Sequence, residues 1–283
     1  MVLEALVTPQ KAERHPLELF FLGMLYSSVA MFVSMQIFDS YAGLIAVFLT
    51  VLATLPLFYA TVKHEERLSV HSSSERKLLK HHARTLIFLT TLFLGIVFAF
   101  SLWYIFLPMP IVQNVFQVQA QTINRINAVS GSFSSDLLIV SRIFFNNVKV
   151  LAFCILFSFF YGAGAIFILA WNASVISVAI GNFFRNGFSA YATEIGWTKL
   201  GGYFHIYGLS LARYLIHGIP EVLAYFIGGL VGGIISIALI RQDFKGEAFG
   251  KILLDLSDLV LVAVGLLLIG VILEVYFTPY FFG

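Results

Sequence analysis

Charge is what this sequence has least of. Lys, Arg, Asp and Glu make up 11% of its 283 residues, where about a quarter is usual for a soluble domain, so no water-soluble surface can be made from it. The net charge of +2 is too small for a nucleic-acid partner, because phosphate binding needs a clustered basic surface. There is one cysteine, Cys154. That excludes a disulfide within the chain, and its place in an apolar run suits a packed or lipid-facing thiol rather than a nucleophile. The sequence has no GxxxxGK[ST] loop, no GxGxxG fingerprint and no GxSxG nucleophile elbow, so nothing points to coupled ATP, a dinucleotide or any other cofactor. His64, His71, His81 and His82 lie with Glu65, Glu66 and Glu75 in a charged stretch without metal-ligand spacing, and Leu68 stands where a zinc-protease helix needs its second His. No metal is expected.

What the chain does have is apolar length. Hydrophobic residues make up 59%, with 30 Phe, 12 Tyr and 3 Trp, and the mean hydropathy is +0.92. Several runs exceed the ~20 residues that cross a bilayer as a helix, the form that satisfies its own backbone where no water can. The fold class is therefore all-α, a polytopic membrane helix bundle with about six spans plus a broken or re-entrant region. Residues 1–108 hold an uncleaved first span at about Leu17–Phe38, a second at Tyr41–Val62 after a tight Asp39–Ser40 turn, and a third at Thr85–Leu107 ending before Pro108 and Pro110. Lys63, Arg67, Arg76, Lys77, Lys80 and Arg84 crowd the loop 63–84, which puts that loop and the amino terminus in the cytoplasm of a cell-membrane protein.

Residues 109–147 form an extracytoplasmic segment in which Val112, Phe116, Ile123 and Ile126 share one helical face. It is expected to lie on the bilayer, on a partner, or as a cap on the chain's own bundle. In residues 148–283, the run Val150–Phe184 is uncharged and too long for one straight crossing. A break is expected at Trp171–Ser174, between a fourth span at Val148–Ala170 and a half-helix at Val175–Phe184. A second short helix, Tyr203–His217, follows the polar stretch Arg185–Gly202. A further break is expected at Gly218–Pro220, where Gly suits a helix end and Pro a first turn; spans at Pro220–Ile240 and Leu256–Phe277 complete the chain.

The informative residues surround that last break. His217 and Glu221 are expensive to bury in an apolar region, and their spacing lets them meet each other or Arg213 one turn earlier. A capping role that holds the break shut competes with a chemical one. Gly228, Gly229, Gly232 and Gly233 give small-xxx-small spacings for a tight helix crossing, within one chain or across a preferred homodimer, and Gly162 and Gly164 read the same way.

The His217-Gly218-x-x-Glu221 element, with Asn146 and Asn147, Gly162 and Gly164, and Asn172 upstream, resembles the signature of the stage II sporulation protein M family. Ala173 departs from it, standing where the family has glycine, so a left-handed backbone after Asn172 does not carry over. The resemblance covers about Asn146–Phe277 and implies a polar site of Asn147, Asn172, His217, Gly218 and Glu221, to which Arg213 is added by its spacing from His217. It also implies a membrane scaffold or subunit of a membrane assembly, with lipids and other membrane proteins as partners. A transporter or channel with a site at the broken helices is the alternative, and an intramembrane enzyme with a His217–Glu221 acid–base pair the third reading; a non-enzyme is expected.

Overall fold

The computed structural model describes residues 16–38, 40–71, 75–130, 136–161, 165–188, 197–240 and 247–282. The helices are α1 (Pro16–Ile37), α2 (Ala42–His71), α3 (Glu75–Phe106), α4 (Met109–Val115), α5 (Gln117–Ser130), α6 (Asp136–Tyr161), α7 (Ala165–Phe188), α8 (Trp197–Ile240) and α9 (Glu247–Ile272). A π-helical turn (Leu273–Phe277) and α10 (Thr278–Phe282) follow. Among the described residues there is no strand, and seven helices are long and apolar enough to cross a membrane. The all-α polytopic bundle holds, with seven such helices in place of six and a broken region.

Both expected breaks are absent. α7 runs unbroken through Trp171–Ser174 because the polar side chains there turn back onto their own helix. The Asn172 amide donates to the Ile168 carbonyl (2.9 Å), Ser174 to Trp171 (2.8 Å) and Ser177 to Ala173 (2.6 Å), a self-satisfaction that competes with breaking. The fourth span is therefore α6, ending at Tyr161, and α7 is a full crossing rather than a half-helix. α8 likewise passes through Gly218 and Pro220 as one helix of 44 residues. Pro220 removes one ladder hydrogen bond, which packed membrane helices tolerate where soluble ones do not.

The chain does fold back, but elsewhere. α4 and α5 bury Val112, Val115, Phe116 and Gln119, with the Phe116 ring 5.3 Å from that of Tyr104 on α3. The Gln119 amide reaches Ser174 on α7 at 3.4 Å, and Gly43 on α2 admits the Val115 carbonyl. The segment after α3 is thus a cap wedged between α2 and α7, the last of the three expectations. Arg185 near the end of α7 fastens the adjoining corner, donating to the carbonyls of Tyr104 (2.8 Å), Ile105 (3.0 Å) and Leu107. These are carbonyls that the end of α3 leaves without a helical partner.

The core lies between α3, α7 and α8, with Phe88, Phe100, Leu169, Ile180, Phe226 and Ile227 among its fully buried side chains. α8 packs antiparallel along α7, Ile206 against Gly187 and Gly229 against Ala165. It packs parallel to α6 through its glycines. A methyl group at Gly232 would collide with the Ile155 carbonyl, and one at Gly228 would stand 2.6 Å from Leu151 Cδ1. Gly233 is buried too. The glycine crossing is therefore filled within the chain, while Gly162 and Gly164 lie outside the described residues.

Candidate functional site

Three contacts fix where the polar residues sit across the bundle. Gly218 faces Ile176, the midpoint of the apolar stretch Ala165–Gly187 of α7. Glu221 accepts a 2.6 Å hydrogen bond from the Asn147 amide, and Asn147 is near the middle of the stretch Leu137–Phe159 of α6. Gly270 of α9 lies against Glu221, where an added methyl would approach its Cγ to 2.9 Å. Glu221 therefore sits at mid-depth between α6, α8 and α9, and Gly270 is glycine because the carboxyl occupies the space a side chain would need.

One turn toward the start of α8, the His217 ring Nδ1 is 3.2 Å from the Thr278 hydroxyl. That hydroxyl in turn donates to the Leu273 carbonyl at 3.0 Å. This is an i to i−5 contact across the π-helical turn, a feature found often at functional sites. The same turn carries Glu274, partly buried and within electrostatic reach of Glu221. One turn further back, Arg213 donates to the Phe282 carbonyl and lies 5.2 Å over the Phe183 ring. Along one face of α8, then, Arg213, His217 and Glu221 each take a partner on another segment, at Phe282, Thr278 and Asn147.

This sorts the sequence-derived site. Asn147 and Glu221 meet at mid-depth, while His217, one turn away, meets Thr278 and Gly218 faces Ile176 of α7. His217 and Glu221 do not close on each other as a pair, because no break brings their ends together. Arg213 is engaged by the carboxyl-terminal helix rather than by Glu221. Asn172 stays on α7, bonded to its own helix. Sequence reasoning missed Glu274, Thr278 and Gly270, whose only sequence signal is a carboxylate and a hydroxyl late in an apolar run. It also missed Lys149, which interrupts the apolar run of α6 and is exposed. Among the described residues no group of His, Cys, Asp and Glu is arranged to hold a metal ion.

A helical bundle of this kind, with paired polar residues at mid-depth, defines a multi-pass membrane protein. The model of the family described as Stage II sporulation protein M matches residues 84–279, and the chain belongs to that family. The match takes in α3 from Arg84 onward, all of α4 to α9, and the residues Asn147, Arg213, His217, Gly218, Glu221, Gly270, Glu274 and Thr278. No curated protein and no solved structure matches the chain.

Proposed function

We propose that this chain is a non-catalytic integral subunit that holds other membrane proteins in an assembly. The observation that carries the reading is the distribution of partners along α8: Arg213 and His217 tie it to α10 and Glu221 ties it to α6. Polar residues used this way fix the arrangement of helices. Asparagine and carboxyl groups joined at mid-depth hold a bundle together because the alternative is an unsatisfied polar group in hydrocarbon. The chain lies in the cell membrane with its amino terminus and residues 63–84, the cationic ends of α2 and α3 and the link between them, in the cytoplasm. Seven crossings support that side assignment, since they return the sequence between α8 and α9, with Arg241 and Lys245, to the same side as the six cations of 63–84.

The test is Glu221→Gln, which keeps a group able to bond Asn147. The subunit reading expects the variant to be made, folded and co-purified with its native assembly at the level of the parent. Loss of the assembly with folding intact would count against it. Transport is the second reading, favoured by the π-helical turn that sets Glu274 beside Glu221. It requires water to reach the site, so Glu221→Cys in a Cys154→Ser background would react with small polar thiol reagents in intact membranes. Under the subunit reading it stays unreactive.

A further inference from the structure

α6 has two unlike faces. Asn147, Leu151, Cys154 and Ser158 are buried against the bundle, whereas Leu138, Arg142, Phe145, Asn146, Lys149, Phe153, Leu156 and Phe157 face outward. Most of that outer face is what lipid accepts. In its middle, however, Asn146 and Lys149 lie three residues apart, on the same side of the helix. Lys149 is central in the apolar stretch Leu137–Phe159, with about 15 Å of helix or more on each side, further than a four-carbon stem reaches. An ammonium held outward at that depth is among the least favourable groups a membrane helix can present.

We infer that the outer face of α6 is an intramembrane docking surface for a transmembrane helix of another protein that carries a carboxylate at mid-depth. The inference rests on the subunit reading and names the chemistry of the partner. Charge complementarity selects the occupant. A carboxylate opposite Lys149 neutralises the ammonium where the low dielectric makes the attraction strong, and the Asn146 amide supplies a hydrogen bond one turn away. A second copy fits poorly, because an isologous contact through this face sets Lys149 against Lys149. The chain's own mid-depth carboxyls, Glu221 and Glu274, are on the other side, at the junction of α6, α8 and α9. The phenylalanines flanking the polar pair provide the apolar contact that a helix partner requires.

The experiment uses the full chain in phosphatidylcholine vesicles, labelled at its amino terminus with an energy-transfer acceptor. The probe is a donor-labelled synthetic transmembrane helix of Leu and Ala with one Glu at its midpoint. Compared with the same helix lacking Glu, association is expected to be about tenfold tighter, the scale of a polar contact between membrane helices. The preference should vanish in Lys149→Leu, persist in Lys149→Arg, and vanish when the Glu is moved two turns toward an end. Equal association of both helices, or a preference that survives Lys149→Leu, overturns the inference. So does Asn146→Cys cross-linking between two copies, or a Lys149-dependent enrichment of anionic lipid without helix preference. Native extracts separate the two proposals. An assembly that survives Lys149→Leu sinks this surface and leaves the subunit reading standing, whereas a parent chain that runs alone sinks the subunit reading.

Discussion

α6 and α8 cross the same bundle side by side and treat their polar residues in opposite ways. α8 is buried on nearly every side from Val222 to Ala238, and its Glu221 is satisfied within the chain by Asn147. α6 gives that one asparagine to the interior and leaves its neighbour Asn146, with Lys149, on the outside. Two residues adjacent in sequence thus serve different purposes, one closing this molecule and the other open to another. A polar residue in a membrane helix has to be read by the face it occupies, because its cost in lipid is the same on both and only the partner differs.

The contrast can be broken first at the glycine crossing. Gly232→Leu drives a side chain into the Ile155 backbone of α6, and a loss of about 3 kcal/mol, or of monodisperse protein on size exclusion, is expected. Next, Asn147→Leu and Lys149→Leu should have opposite signs. Asn147→Leu strips the Glu221 carboxyl of its donor and should destabilise the purified chain by about 2 kcal/mol. Lys149→Leu removes an outward ammonium and should ease membrane insertion by about 2.5 kcal/mol. Denaturant unfolding in mixed micelles measures the first and a glycosylation-based insertion assay the second; equal signs would dissolve the distinction between the faces. A double-mutant cycle on Asn147 and Glu221 should return a coupling of about 1 kcal/mol. The smallest effect is expected at Gln119, whose Oε1 is buried without a hydrogen-bond partner. Gln119→Leu should lie within about 0.5 kcal/mol of the parent, since it removes an unsatisfied atom along with one long hydrogen bond.

The sequence revealed the spans that end in strong punctuation. Pro108 and the cations of 63–84 bound the apolar stretches Ala42–Thr61 and Ala83–Phe106 to within two residues of the expected spans, although the helices themselves run on through the cations, α2 to His71 and α3 from Glu75. It misled where punctuation is cancelled by packing or by self-satisfaction. Asn172 and Ser174 look like a break because their side chains are polar, yet each finds a carbonyl on its own helix. Gly218 and Pro220 look like an end and a start, yet α7 and α9 flank the helix on both sides and hold it through. Of the site, Asn147, Gly218, His217 and Glu221 were legible because polar groups stand out in an apolar run. Which of them meet was not, because that depends on the registers of α6, α8 and α9, and no local pattern encodes those.

The π-helical turn at Leu273–Phe277 has a consequence for the chain's carboxyl-terminal end. A π turn holds one residue more than the α turn it replaces, which sets everything after it back by about 100° around the axis. Thr278 faces His217, and Phe282 meets Arg213, in that shifted phase. Deleting one residue between Leu273 and Phe277 would remove the extra residue and leave an ordinary helix with both fastenings still turned toward α8. Straightening the turn at full length would instead rotate the two away together, so the end of the protein tolerates a shorter chain better than a regular one.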